Sequence, residues 1–255
     1  MPDYPPLVVA VLPARYASTR FEGKPLKRDT GKYLIQHVYE RASAAQSVSR
    51  VIVATDDFRI LEAVQSFGGE AVMTRADHPN GTSRLAEVAK MLDDDVGIIV
   101  NVQGDEPEIE SSAIDTAVTS LLERQDAVAS TLASRFSPGE RVDDPNIVKV
   151  VRGLDGNALY FSRSRIPFNR DGDADANWVL LKHIGLYVYR REFLAEYVAW
   201  DPTPLECAER LEQLRILEHG RAIAVALIEG GTKPGIDTPE QYAAFVKRWR
   251  APASK

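Results

Sequence analysis

Leu7-Val8-Val9-Ala10-Val11-Leu12 runs directly into Pro13-Ala14-Arg15-Tyr16-Ala17-Ser18-Thr19-Arg20-Phe21-Glu22-Gly23-Lys24-Pro25-Leu26-Lys27-Arg28, and this stretch decides the fold. The apolar run has no polar alternation and is rich in valine, so it reads as a strand buried on both faces. Similar runs recur at Val51 to Ala54 and Ile98 to Val100. Between them, Leu34 to Ala45, Ile60 to Phe67 and Leu85 to Leu92 carry helical spacing. That alternation builds βαβ units and a mainly parallel sheet. Ligands bind beyond the carboxyl ends of such strands, so chemistry is expected in the segments beginning at Pro13, Thr55 and Gln103.

After Ala127 the pattern changes. Val128 to Leu132, Val148 to Val151, Ala158 to Phe161 and Ile184 to Tyr189 are strand-like, and Asp155-Gly156 is a hairpin turn. These predict a smaller antiparallel lobe. Thr203-Pro204-Leu205-Glu206 carries a cap, a first-turn proline and a capping-box glutamate, and Gly220 marks an end, so one helix is expected from about Pro204 to His219. On it Leu211, Leu214 and Leu217 form a buried stripe, with Glu212 and Gln213 on other faces. A strand at Ala222 to Leu227 and a helix after Thr238-Pro239-Glu240 close the chain.

The chain has 255 residues, 44% of them hydrophobic and 27% charged, enough for one large domain with a full core. A net charge of -6 argues against a general nucleic-acid binder, which must neutralise many phosphates. No apolar stretch reaches the roughly 18 residues of a membrane helix. Met1 to Pro6 holds Asp3 and prolines instead of a basic-then-apolar signal, so a cytoplasmic protein without membrane insertion is expected. Cys207 is the single cysteine, which leaves no internal disulfide or thiolate metal cluster.

Against that acidic background, residues 13–28 gather five cations and one acid. Directly after a buried strand, backbone N–H groups, the hydroxyls of Ser18 and Thr19, and the charges of Arg15, Arg20 and Lys24 suit phosphate oxygens. The loop is neither a Walker loop nor a GxGxxG turn. On composition alone it is also readable as a solvated basic loop.

Pro13-Ala-Arg-Tyr-Ala-Ser-Thr-Arg20 with Gly23-Lys24-Pro25-Leu26 resembles the signature of the 3-deoxy-manno-octulosonate cytidylyltransferases. The resemblance continues, in order, through Ala54-Thr55-Asp56, Met73 to His78, Asn101 to Pro107, Tyr160 to Arg163, His183 to Tyr187, Leu211 to Arg215 and Gly235 to Glu240. It implies a three-layer αβα, Rossmann-like fold of the nucleotide-diphospho-sugar transferase type. Residues 1–255 then form a single nucleotidyltransferase domain, with a nucleotide-binding part at about 1–127 and 222–250 and a sugar-binding and dimerisation lobe at about 128–221. The implied reaction joins CMP from CTP to 3-deoxy-manno-octulosonate (Kdo), releasing pyrophosphate for lipopolysaccharide synthesis, in a homodimer.

Asp105 follows an apolar run and Asp237 follows the last strand; two aspartates plus phosphates and water suit Mg2+. From spacing alone Asp105 is equally an acid near a helix start and Asp237 a helix cap. The resemblance assigns both to the metal, and makes Arg15, Lys24, Asp105 and Asp237 catalytic. It implies nucleotide contacts from Ala14, Arg15, Ser18, Thr19, Arg20, Lys24, Arg75, Gly81 and Gln103, with Gly81-Thr82 allowing close backbone approach. It implies sugar contacts from Gln103, Arg163, His183, Tyr187, Glu212 and Gln213, with Arg163 suited to a bidentate carboxylate pair. The chain departs from the family at Phe21-Glu22, Asn80, Ser83 and Phe168-Asn169. Glu22 puts a negative charge in the phosphate loop, and the other changes are expected to bear on the sugar, for example an amino analogue of Kdo. Two rivals are a sugar-nucleotide glycosyltransferase, which would lack the Arg15, Arg20 and Lys24 loop, and a non-catalytic nucleotide-binding sensor, which would lack Asp105 or Asp237.

Overall fold

The first apolar run forms strand β1, Leu7–Ala14, with Val8 to Leu12 all buried. The structure, a computed structural model, describes residues 6–17, 20–170, 180–230, 233 and 235–251. The chain divides into two units, Met1–Ile114 with Lys233–Lys255, and Asp115–Thr232.

In the first unit β1 pairs in parallel with β2 (Arg50–Thr55) and with β4 (Val96–Asn101), and β2 pairs in parallel with β3 (Glu70–Met73), giving the order β3-β2-β1-β4. Helices α1 (Leu34–Ser43), α2 (Phe58–Ser66) and α3 (Gly81–Met91) are the crossovers. The register sets Ala14 beside Thr55 and Thr55 beside Met73, so the chain leaves each strand at one edge. Strand β3 escapes the sequence reading because it has four residues, all half-buried, and no long apolar run. The C-terminal helix α8, Pro239–Arg250, starts with the capping box of Thr238 and Gln241. Its Tyr242 and Phe245 form a buried cluster with Leu34 and Ile236, against which Phe21 packs.

The second unit follows α4 (Ser111–Leu122), which crosses the division between units. Strands β5 (Ala127–Arg135), β6 (Lys149–Arg152), β7 (Ala158–Ser162) and β8 (Leu181–Arg190) pair antiparallel as β5·β8, β6·β7 and β6·β8. The β6–β7 turn is the expected one, with Gly156 at φ 88. After helix α5 (Arg191–Tyr197) come α6 (Pro204–Glu209), α7 (Leu214–Glu218) and β9 (Ala222–Leu227).

Two expectations are corrected here. Strand β9 clusters with the second unit and pairs in parallel with β5, so residues 222–227 do not group with the first, while the strands expected in the smaller lobe, β5 to β8, pair antiparallel as read. The single helix from Pro204 to His219 is broken, because Arg210 is left-handed at φ 55. Arg163 donates through Nε to Glu209 O (2.7 Å) and through a terminal nitrogen to Arg210 O (3.2 Å), taking the carbonyls a continuing helix would use. A buried bidentate pair of Arg215 with Glu206, at 2.7 and 2.6 Å, then ties α7 back to α6. At the start of α6 the glutamate half of the expected capping box is formed, with Thr203 N donating to Glu206 Oε2 at 3.2 Å. Leu211 and Leu214 are buried, but Glu212 and Gln213 stand in the turn between two helices and not on one helix face, Glu212 exposed and Gln213 buried.

Candidate active site

At the carboxyl edge of the first unit's strands, Lys24 is the hub. Gly23 takes φ 65, a conformation that suits glycine, and Pro25 opens a short 3-10 turn, Lys24–Leu26. The Lys24 ammonium donates to Asp105 Oδ2 at 2.8 Å, Ile236 O at 2.6 Å and Asp237 Oδ1 at 3.4 Å. Its side chain is 12% exposed, against 31% and 42% for the two aspartates. The peptide N–H of Ile236 donates to Asp105 O at 2.8 Å, which links the two acid-bearing segments through backbone as well. A Cβ on Gly104 would lie 2.8 Å from Pro13 O, so only glycine lets the segment after β4 run this close to the end of β1.

Two carboxylates converging on one cation form a hard oxygen donor pair of the kind Mg2+ takes alongside phosphates and water. Among the described residues there is no group of three or more His, Cys, Asp or Glu that would make an all-protein metal cage. The two carboxylates fit Mg2+ by their donor chemistry. Glu106 was not singled out from the sequence, although it stands in the Asn101 to Pro107 motif. Burial first, and the Asp105 charge second, push its carboxyl up to about 7.

Arg15 donates to His78 O at 2.7 Å, and the His78 ring contacts Glu87 of α3, which orients the arginine from below. Arg20 pairs with Asp237 at 3.1 Å, both ends largely exposed. Ser18 and Thr19 lie outside the described residues. Ala14 is the buried last residue of β1, and Gln103 follows β4, half-buried. Arg75 is exposed, with Nε 3.5 Å from Asp77 and 3.8 Å from Glu87. Gly81 begins α3, and a Cβ there would touch Pro13 at an ordinary 3.5 Å, so crowding by the protein does not reserve the position for glycine.

The departures in this unit have local explanations. Arg59 on α2 is held first by its hydrogen bonds to Asp57, at 2.9 and 2.6 Å, and the Glu22 charge adds in the same direction. Arg59 stacks over Tyr16 at 3.3 Å, and the Gly23 N–H donates to Tyr16 O at 2.9 Å, closing the base of the basic loop. Phe21 packs on the cluster around Ile236, its ring 5.7 Å from Tyr242. Asn80 caps α3 by accepting from Ser83 N at 2.9 Å, and Ser83 Oγ returns a bond to Asn80 O at 2.9 Å. That reciprocal pair serves the helix terminus. Phe168 is exposed and nothing around it explains the change.

In the second unit, His183 and Tyr187 lie on β8 with ring centroids 5.4 Å apart, and Phe161 of β7 meets His183 edge-on at 5.1 Å. Burial pushes the His183 ring down to about 3, so it is neutral. Tyr187 is raised by burial. Its hydroxyl is buried beside Thr131 yet outside hydrogen-bond geometry. Tyr197 donates to Glu212 O at 3.3 Å, which ties the 211–213 turn to α5. Arg163 does not present an open fork: besides Glu209 O and Arg210 O it reaches Pro145 O at 3.0 Å, and its backbone N–H donates to Glu209 Oε2 at 2.9 Å. Beneath it Lys149, fully buried, donates to the carbonyls of Asp144, Ile147 and Arg163 at 2.9, 2.7 and 2.6 Å. Lys149, Glu209 and Thr131 carry this scaffold, and no sequence motif set them apart.

The family model for cytidylyltransferases matches residues 9–223. A 3-deoxy-manno-octulosonate cytidylyltransferase of Pelobacter propionicus is 51% identical over 97% of this chain and 99% of its own length. One from Solibacter usitatus is 47% identical, covering 97% and 96%. Among solved structures, a CMP:2-keto-3-deoxy-manno-octonic acid synthetase complexed with CTP aligns with TM-score 0.89 and 42% identity, over 95% of this chain and 98% of that one. A 4-diphosphocytidyl-2C-methyl-D-erythritol synthase from Anaerococcus prevotii shares the fold at TM-score 0.61 and 13% identity.

Proposed function

The chain belongs to the 3-deoxy-manno-octulosonate cytidylyltransferases, and from that membership we infer that it transfers CMP from CTP to Kdo and releases pyrophosphate. The observation that carries the site assignment is the Lys24 ammonium held between Asp105 and Asp237 at the carboxyl edge of a parallel sheet. The first unit holds CTP, with Arg15, Ser18, Thr19, Arg20 and Lys24 on the phosphates and Ala14, Arg75, Gly81 and Gln103 around the nucleoside. Asp105 and Asp237 would hold Mg2+, which when bound would supply Lewis-acid neutralisation of charge on the nucleotide phosphates.

The anomeric hydroxyl of Kdo attacks the α-phosphorus. A new P–O bond forms, the bond to the β-phosphate bridge breaks, the hydroxyl proton passes to solvent and pyrophosphate departs. Lys24, Arg15 and Arg20 stabilise the charge that moves onto the leaving oxygens, so the protein works by positioning and electrostatics. The sugar acid lies on His183, Tyr187, Gln213 and Glu212, with Gln103 and Arg163 assisting; Arg163 also organises the turn that carries Glu212 and Gln213. On the family resemblance alone, the reading extends to lipopolysaccharide synthesis, a cytoplasmic location and a homodimer. Among the described residues no helix is long and apolar enough to cross a membrane.

The test incubates the protein with CTP, Mg2+ and either Kdo or its amino analogue, following pyrophosphate and the CMP-sugar. Formation of both products with Kdo is expected. Binding of CTP without pyrophosphate release with either sugar would overturn the assignment.

A further inference from the structure

Thr131 is a fully buried residue of β5 that faces a bulge in β8. The pairing steps from Thr131↔Tyr187 to Leu132↔Ile184, so Gly185 and Leu186 have no partners across the ladder. The bulge brings two carbonyl oxygens onto the threonine hydroxyl, Leu186 O at 2.8 Å and Ile184 O at 3.1 Å. The same hydroxyl lies 2.9 Å from His183 Nε2.

A hydroxyl has one proton to give and lone pairs to receive, whereas a carbonyl oxygen only accepts. If Thr131 gave its proton to Nε2, its oxygen would face two carbonyl oxygens at hydrogen-bond distance with no hydrogen between them. In a buried site that arrangement leaves three acceptors crowded together, and unsatisfied buried groups are costly. If the proton instead points to the carbonyls, the hydroxyl oxygen is free to accept, and Nε2 must carry the hydrogen. Phe161 and Tyr187 flank the ring and hold its plane. Burial keeps the imidazole neutral, so the other nitrogen stays unprotonated.

We propose that Thr131 locks His183 as the Nε2–H tautomer, making Nδ1 a proton acceptor that selects a hydroxyl of the sugar acid and turns its carboxylate away. The proposal rests on reading His183 as a sugar contact. It makes Thr131 a positioning residue, because it acts only through the ring, and it gives the acceptor site a polarity: the ring takes a hydroxyl proton, and the carboxylate must be received elsewhere.

The test begins with the unaltered protein, 15N-labelled, in a long-range proton–nitrogen correlation spectrum at pH 7, with the His183 signals assigned by their loss in His183→Gln. A protonated Nε2 and an unprotonated Nδ1 are expected. In Thr131→Val, which keeps the size and drops the hydroxyl, the tautomer preference should weaken. KM for Kdo should rise about tenfold, the scale of one lost hydrogen bond, while kcat and KM for CTP stay within about twofold. Thr131→Ser should restore both the spectrum and KM. A wild-type ring protonated on Nδ1 overturns the proposal whatever the variants do. A Thr131→Val enzyme with an altered ring but unchanged KM for Kdo overturns it too, provided His183→Gln raises that KM. If His183→Gln leaves KM for Kdo unchanged as well, the sugar reading of His183 falls and takes the proposal with it.

Discussion

Lys24 joins what the chain separates by more than two hundred residues, since its ammonium reaches both Asp105 and the Ile236-Asp237 segment. Replacing it by Ala leaves two acids facing each other and, on the proposed function, removes a charge from the leaving phosphates. We expect kcat for pyrophosphate release in Lys24→Ala or Asp105→Ala to fall by at least about 10² to 10³, the scale for removing one preorganised electrostatic group. Near-normal turnover in folded variants, checked by circular dichroism, would sink the site assignment. The basic loop and both aspartates were legible in the sequence as an excess of charge and as family motifs. Glu106 was not, because its raised pKa comes from burial and from Asp105, and neither leaves a mark in composition. Arg163 was legible as a cation suited to a bidentate carboxylate pair; its engagement with three carbonyls depends on where the chain folds around it.

The basic loop after β1 and the α6–α7 pair show at the scale of elements how local choices set geometry. The loop is closed by the Arg59–Tyr16 stack and the Gly23 bond, with Phe21 anchored on the C-terminal helix cluster. Exposed cation–π contacts are worth about 0.5 to 1 kcal/mol, so Arg59→Ala should raise KM for CTP about twofold to fivefold with little change in stability. Steady-state kinetics alongside urea unfolding checks this, and an unchanged KM would deny the stack any part in shaping the loop. The α6–α7 turn depends on the buried Glu206–Arg215 pair. Removing one partner of a buried pair costs about 3 to 5 kcal/mol, whereas an exposed pair is worth about 0 to 1 kcal/mol. Glu206→Ala should therefore lower the urea midpoint clearly, and Glu70→Ala, which breaks the exposed Arg50 pair, should barely move it. Equal shifts would contradict the burial argument. Capping residues made the start of α6 readable, but its end was not, because Arg210 turns left-handed to satisfy contacts with Arg163 from another strand's exit.

Across the whole molecule, two histidines whose pKa values desolvation lowers couple stability to pH. Burial lowers His37 from 6.5 to about 4 and His183 from 6.5 to about 3. Their folded-state pKa values lie below the unfolded ones, so their stabilising contribution is complete above pH 6.5 and is lost as pH falls toward 4 and 3. Glu106, raised from 4.5 to about 7, takes up a proton on the folded side and opposes one of the two histidines over the same range. The net expectation is a loss of up to about 1 kcal/mol per pH unit between pH 6.5 and 4.5, read from urea midpoints. Glu106→Gln should make the fall steeper, and a flat wild-type profile would contradict the burial of these rings. The same separation of local from distant effects runs through the whole chain. The sequence by itself determined the parallel βαβ half and the family, and it singled out Lys24, Asp105 and Asp237, because buried strands, caps and an excess of basic residues leave local patterns in composition and spacing. Only the tertiary structure decided that β9 pairs in parallel within the second unit, that the 204–219 helix breaks, and that Thr131 faces His183. Those outcomes depend on which carbonyls, rings and charges meet across long stretches of chain, and no periodicity along the sequence encodes that.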